Sequence, residues 1–125
     1  MGNRAVITTK DVTKENANQK LGIYVHWYGS KKDIERALKI AKERKIRKPF
    51  EDYSYFWARF WQAFADMISE DSLNSQFELA AMNAFESDIG IDIVSELDCH
   101  NLDNGVYYIN NDLEIEKQTD GSEFQ

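Results

Sequence analysis

The sequence of 125 residues contains few of the residue types that form disulfides, interrupt helices and strands or act in catalysis. It has one cysteine, one proline, six glycines and two histidines. Cys99 has no second cysteine for an internal disulfide, which is typical of a reducing compartment. The few glycines and prolines leave little room for a long linker, so a single domain is expected. No apolar run approaches the ~20 residues that span a membrane, and residues 1–10 lack the apolar core of a signal peptide. We therefore expect a cytoplasmic protein.

The scarcity of histidine and cysteine also limits the chemistry. Cys99 and His100 are adjacent, where side chains of extended chain point apart, and structural zinc sites need four spaced ligands. The acidic segment 98–104 lacks the central glycine and final glutamate of a calcium-binding EF-hand loop. No nucleophile has a base at a suggestive spacing. The sequence thus predicts no metal, no cofactor and no enzymatic activity, although a carboxylate pair brought together by folding, such as Asp98 and Asp103, stays open.

Aromatic residues, by contrast, are abundant and concentrated in segment 52–68. At 100° per residue its large apolar side chains fall within an arc of roughly 140°, the pattern of a helix that is buried along one side. The members of this stripe are Tyr53, Phe56, Trp57, Phe60, Trp61, Phe64, Met67 and Ile68. Sixteen aromatic residues are many for a chain of this length, so self-association into a homo-oligomer is also expected.

The remaining pattern predicts an α+β fold. β-branched and alternating segments predict strands, Ser30 and Asp33 form a capping box before an amphipathic helix, and a turn separates two strands of a C-terminal hairpin. A third helix over 79–85 is a weaker prediction. The predicted strands are 5–9, 21–28, 106–109 and 113–117, and the basic helix is 31–45.

These elements predict a two-layer α+β domain over residues 1–117. An antiparallel sheet would carry two or three helices on one face, in the order ββαα(α)ββ. Residues 118–125 are predicted to be a disordered tail, whose end resembles a cloning scar.

Charge divides the chain. Residues 31–48 contain nine Lys or Arg and three acidic residues, a net charge of +6, whereas residues 49–125 contain two basic and seventeen acidic residues, a net charge of −15. A solvated basic helix beside an acidic remainder explains the pattern without any ligand. The alternatives are a basic patch for a phosphorylated ligand, or an acidic surface that occupies the nucleic-acid groove of another protein.

Three stretches, MGNRAVITT (1–9), GIYVHWYG (22–29) and LDCHNLDNGVYYI (97–109), resemble a group of small phage and prophage proteins of Gram-positive bacteria. The group is in turn similar to phage anti-defence proteins, in particular the Thoeris anti-defence sponges, which sequester a cyclic ADP-ribose signal within an oligomer. The resemblance implies action in the host cytoplasm and ligand contacts from Lys31, Arg59 and Asn104. Lys31 stands where the group has arginine, and no arginine follows Arg59, which departs from the sponges' pattern.

Local chemistry suggests the same kind of site. A helix that begins after Gly29 and Ser30 offers backbone N–H groups and a positive dipole to a phosphate. Lys31 and Lys32 would add charge, while three aromatic residues, Trp27, Tyr28 and Tyr107, would stack on a base. We therefore expect a protein that binds a cyclic ADP-ribose or cyclic oligonucleotide signal without turnover. The alternative is an anti-CRISPR-like inhibitor that binds a host nucleic-acid enzyme through its acidic surface; neither alternative involves a membrane or direct nucleic-acid binding.

Overall fold

A computed structural model of the chain describes residues 2–74 and 89–125. Its regular elements are β1 (Ala5–Thr9), β2 (Leu21–Val25), α1 (Lys31–Glu43), α2 (Tyr53–Asn74), β3 (Ile89–Ile93), β4 (Val106–Ile109) and β5 (Ile115–Thr119). Short 3-10 turns follow at Val94–Glu96 and Ser122–Phe124. The α+β class is confirmed, while the predicted third helix over 79–85 lies outside the described residues. Neither described helix combines the length and apolarity of a membrane-spanning segment.

The five strands form one mixed sheet in the order β3-β2-β1-β4-β5. The prediction of a purely antiparallel sheet is wrong, because β1 pairs with β4 in parallel, in a register that sets Val6 opposite Val106. Every residue of β1 and β4 is buried, as is usual for parallel strands that are covered on both faces. The other pairs are antiparallel. β3 is an additional strand, formed where the sequence shows only a short apolar run.

The element boundaries differ from the predictions where the backbone turns. β2 ends at Val25 rather than at residue 28, since the chain leaves the sheet and reaches a left-handed conformation at Tyr28, with φ 65°. α1 ends at Glu43, two residues before Lys45, which also has a positive φ of 54°. α2 starts as expected and continues to Asn74, six residues past the predicted end.

The helices cover one face of the sheet, and the predicted aromatic stripe forms the centre of this core. Six stripe residues are buried, namely Phe56, Trp57, Phe60, Phe64, Met67 and Ile68, and the other two, Tyr53 and Trp61, are partly buried against them. The rings of Phe56 and Phe60 stack with centroids 5.6 Å apart. α1 adds Ile34, Ala37, Leu38 and Ala41 to the same core.

Irregular segments cover the opposite face. Val6, Val106 and Tyr108 project from the central strands into a second apolar cluster. Its remaining buried members come from the loops, namely Val12, Ala17, Val94 and Cys99. The sheet is therefore covered on both faces, by helices on one and by loops on the other.

The C-terminal residues pack against this second cluster. β5 runs to Thr119, two residues beyond the predicted end of the domain, and Phe124 lies against the cluster. The Glu123 carboxylate accepts hydrogen bonds from the hydroxyls of Tyr108 and Thr119. Burial acts to raise the pKa of Glu123, but the hydrogen bonds from Thr119 and Tyr108, together with a backbone hydrogen bond and the charge of Lys117, lower it overall. The expectation of a disordered tail from residue 118 thus differs from the structure, because Glu123 and Phe124 both have partners in the domain.

Truncation of the aromatic core should be costly. We expect Phe60→Ala to lower the free energy of unfolding by about 3–5 kcal/mol, because a buried ring is lost and leaves a cavity. The exposed Tyr55 on the other side of α2 is the matched control, and Tyr55→Ala should cost less than about 1 kcal/mol, since its described ring contact is with the guanidinium of Arg47 at the surface. Urea denaturation measures both variants; equal losses would contradict the assignment of the buried face.

Candidate functional site

The turn between β2 and α1 is held by contacts within the chain. Ser30 is the N-cap of α1, and its Oγ accepts a hydrogen bond from the Asp33 N–H at 3.3 Å and donates one to the Asp33 carboxylate at 2.8 Å. The Gly29 N–H donates to the Asn3 carbonyl at 2.8 Å. The Ser30 N-cap is confirmed, although no described bond joins the Asp33 carboxylate to the Ser30 backbone N–H as in a full capping box. It also sets a carboxylate at the helix N-terminus, where the helix dipole favours an anion, so a ligand phosphate would have to compete with Asp33.

Two of the predicted ligand residues make structural contacts instead. Tyr107 is fully buried, and its hydroxyl donates to the Gly29 carbonyl at 2.8 Å, so its ring has no face free for a base. The Asn104 side-chain amide donates to the side chain of Asn3 at 2.6 Å and to the Arg4 carbonyl at 3.1 Å. Both residues thereby fasten the N-terminal segment and the β2–α1 turn to β4.

The other predicted residues have different surroundings. Trp27 packs edge-on against His26, and Tyr28 lies half-buried against the helix-side core. Burial, followed by the nearby Asp71 carboxylate, raises the pKa of Tyr28. Arg59 lies on the exposed side of α2 and donates to Gln62 at 3.0 Å. Lys31 and Lys32 are exposed in the first turn of α1.

The basic segment is largely neutralised by acidic residues from later in the chain. Of its nine basic residues, five form ion pairs of 2.7 to 3.9 Å with acidic residues of segment 49–125. These pairs are Arg36–Asp71, Lys42–Glu114, Arg44–Asp66, Arg47–Asp52 and Lys48–Asp112. All are solvent-exposed, and such pairs contribute about 0–1 kcal/mol each. No described acidic residue pairs with the other four, Lys31, Lys32, Lys39 and Lys45.

Two of these unpaired lysines, Lys31 and Lys39, line a groove between α1 and the β4–β5 hairpin, here called the α1–hairpin groove. Its volume is about 500 Å³, within the range of small-molecule sites. Leu38, Leu113 and Ile115 form its apolar part. Its polar residues are Lys31, Glu35, Lys39, Lys42, Asn110, Glu114 and Glu116. Lys31 is the predicted ligand residue that lies here, and no sequence pattern indicated the residues of the hairpin side.

A second groove of about 370 Å³, here called the β3 groove, lies on the loop-covered face beside β3. Tyr24, Leu97 and Leu102 contribute its apolar surface, and Asp92, Glu96 and Asp98 its acidic rim. No described basic residue pairs with Asp92 or Glu96, whereas Asp98 lies 4.0 Å from His100 Nε2. Arg4, at the same groove, is already paired with Asp103 at 3.1 Å. The β3 groove is therefore an acidic surface with an apolar floor.

The remaining residues that could act as nucleophiles, bases or metal ligands lie outside the two grooves. Burial raises the pKa of the Cys99 thiol to about 11, and its Sγ lies 3.7 Å from the Val94 carbonyl, so the thiolate nucleophile is disfavoured. His26 is hydrogen-bonded to Tyr24 at 2.9 Å. Within the part of the chain that the structure describes, no three His, Cys, Asp or Glu side chains are grouped to hold a metal ion.

The two grooves are thus the candidate sites on geometric grounds. Comparison of the chain with protein-family models, with curated proteins and with solved structures finds no match. The interpretation of each groove depends on its own shape, charge and hydrogen-bonding groups.

Tyr107→Phe separates a structural role from a ligand contact. Loss of the hydroxyl leaves the buried Gly29 carbonyl without its partner, so we expect the free energy of unfolding to fall by about 1–2 kcal/mol. Tyr55→Phe, at an exposed position, is the control and should be neutral. A Tyr107→Phe variant with unchanged stability but impaired ligand binding would argue against the structural role.

Proposed function

We propose that this protein is a phage anti-defence factor that binds a nucleotide-derived immune signal in the α1–hairpin groove and sequesters it without turnover. The signal would be of the cyclic ADP-ribose or cyclic oligonucleotide type, and the protein would act in the host cytoplasm as a homo-oligomer. The observation that carries the proposal is the position of Lys31 and Lys39, two lysines without a described acidic partner that line the same groove.

The groove offers the types of group that such a ligand requires. Lysine ammonium groups bind phosphate oxygens as point charges, and no described carboxylate forms an ion pair with Lys31 or Lys39. The nearby Glu35 and Glu116 carboxylates suit ribose hydroxyls as hydrogen-bond acceptors. The apolar part of the lining, which includes Leu38 and Ile115, suits one face of a base. Since no aromatic residue lines the groove, stacking would have to come from a second subunit of the oligomer.

Binding without turnover is supported by what lines the groove. Its described lining contains lysine, glutamate, asparagine, leucine and isoleucine side chains, but no cysteine, serine or histidine. Catalysis by a hydroxyl, thiol or imidazole nucleophile requires such a group, usually beside a general base. Cys99 and Tyr108 belong to the cluster on the opposite face of the sheet.

The proposal predicts a charge-specific effect. Calorimetry with cyclic ADP-ribose isomers and cyclic dinucleotides should detect binding that Lys31→Glu weakens by about tenfold or more, the cost of a lost charge-assisted hydrogen bond. Lys14→Glu makes the same charge change at an exposed position outside the groove and should leave the affinity unaltered. Denaturing the loaded protein should release intact ligand, whereas altered ligand would indicate an enzyme. Absence of binding by all of these ligands would refute sequestration.

We also propose a second candidate function, the inhibition of a host nucleic-acid enzyme such as a CRISPR nuclease. The observation that favours it is the acidic rim of the β3 groove, where Asp92 and Glu96 are exposed and have no described basic partner. Carboxylates around an apolar floor complement the basic, partly apolar surface with which such an enzyme holds a nucleic-acid backbone.

Inhibition of this kind should depend on the ionic strength and on the acidic rim of the β3 groove. The protein should restore phage plaques on a CRISPR-protected strain, and its complex with the nuclease should weaken sharply as ionic strength rises. The double variant Asp92→Lys and Glu96→Lys should abolish the effect, whereas Glu51→Lys, at an exposed acidic position outside the groove, should not. Full restoration of plaques by the rim variant would contradict this function.

A further inference from the structure

The two edges of the sheet are unequally protected against a further strand. β5, at one edge, carries Glu116, Lys117 and Gln118, and its pairing with β4 is interrupted by an irregularity at Tyr108 and Ile109. Charged side chains and bulges are the usual means of blocking an edge. β3, at the other edge, has the sequence Ile-Gly-Ile-Asp-Ile, and Ile91 is 42% exposed. Among the described residues, none pairs with the outer side of β3.

The register identifies the backbone groups that face outward. The Val94 N–H donates to the Lys20 carbonyl at 2.8 Å, which makes that pair a hydrogen-bonded pair of the antiparallel ladder. Because such pairs alternate, Asp92 and Gly90 bond to β2, and the N–H and C=O of Ile91 point away from it. The next outward N–H, that of Ile93, is occupied by the Asp92 side chain at 2.7 Å. Ile91 therefore presents the central pair of outward backbone groups on this edge.

The side chains beside this edge define what would fit there. Gly90 and Asp92 face the β3 groove, and a Cβ built at Gly90 meets no atom within 4 Å, so space is open beside it. Ile89 and Ile91 lie on the helix side, opposite Val25 and Ile23. A strand added here would alternate in the same way. Its groove-facing side chains would meet Asp92 and the acidic rim, and its other side chains would meet Ile91.

We propose that the outer edge of β3 accepts an extended segment of a partner protein as a sixth strand, with lysine or arginine facing the groove and apolar residues facing Ile91. Main-chain hydrogen bonds would supply affinity and the alternating side chains would supply selectivity, as in other cases of strand addition. The inference rests on the second candidate function, for which it names the mode of recognition.

Charge distinguishes this occupant from a second copy of the chain. Pairing of β3 with β3 of another subunit would bring two acidic rims together, each with Asp92, Glu96 and Asp98. Like charges that face each other across strands are destabilising. A basic segment instead gains from every rim carboxylate, and the apolar floor of Tyr24, Leu97 and Leu102 accommodates the methylene stems of its lysines.

The test uses a fluorescent peptide of alternating valine and lysine with the full-length protein, followed by anisotropy and by amide hydrogen exchange at Ile91. We expect binding that slows exchange at Ile91, and a matched valine–glutamate peptide should not bind. N-methylation of the peptide at its edge-pairing positions should weaken binding about tenfold or more, because hydrogen bonds to the edge are lost while the protein is unchanged.

Substitution of the protein gives the reciprocal result. Ile91→Pro removes the outward N–H but no bond to β2, and should weaken binding to a similar extent, whereas Ile91→Val keeps the N–H and should bind normally. Binding that tolerates both N-methylation and Ile91→Pro would overturn strand addition. If Ile91→Pro instead dissolves a homo-oligomer, the occupant is a second copy and the proposal is wrong.

The two levels of the hypothesis can fail separately. Peptide binding at the β3 edge requires neither a nuclease nor a phage, so a positive peptide result with no plaque restoration would reject the second candidate function and leave the strand-addition site. Plaque restoration that the Asp92→Lys and Glu96→Lys double variant abolishes but Ile91→Pro leaves intact would reject strand addition and leave the function.

Discussion

The parallel pairing of β1 with β4 is the constraint on which the rest of the fold depends. Both strands are buried on both faces, so the chain must supply two covering layers. The helices provide one layer and the loops provide the other. Backbone segments on the loop side come very close to each other at two glycines. A Cβ at Gly121 would lie 1.7 Å from the carbonyl oxygen of Cys99, and a Cβ at Gly105 would lie 1.9 Å from the carbonyl oxygen of Thr119. Both glycines have positive φ, so each position requires glycine on two grounds.

The same constraint places the candidate sites. β4 lies beside β1, and β5 pairs with β4 to form one edge of the sheet. On the other side of β1, β2 pairs with β3, which forms the other edge. α1, which packs on the helix side, then faces the hairpin, and the Lys42–Glu114 ion pair of 3.6 Å lies across their junction. The loop after β3 turns across the opposite face and brings Glu96 and Leu97 beside Tyr24. Each groove is thus formed by segments distant in sequence, and neither could be recognised from a local motif.

Local features of the sequence were sufficient for much of the fold. The aromatic stripe, the Ser30 cap and strand β1 follow from periodicity and capping, which operate within a few residues. The parallel pairing of β1 with β4 and the formation of β3 depend on partners far along the chain, so no local pattern predicts them. The predictions of ligand residues were only partly successful, for a similar reason. Tyr107 and Asn104 look like ligand groups in sequence, yet their polar atoms bond the Gly29 carbonyl, Asn3 and Arg4. Lys31 is the predicted residue that lines the α1–hairpin groove, whereas Asn104 lines a separate hollow beside Gln118, and no sequence pattern indicated the hairpin residues of the α1–hairpin groove.

The basic segment is largely neutralised on folding, because five basic residues of segment 31–48 pair with acids from segment 49–125. Among the charges without a described partner, the lysines of the α1–hairpin groove and the rim of the β3 groove form two surfaces of opposite sign. They lie at opposite edges of a five-stranded sheet, separated by four strand spacings or about 19 Å, well beyond a Debye length of about 8 Å. Exposed charges at that distance are largely screened from each other. A phosphorylated ligand and a basic partner could therefore be bound at the same time, each with little effect on the affinity of the other.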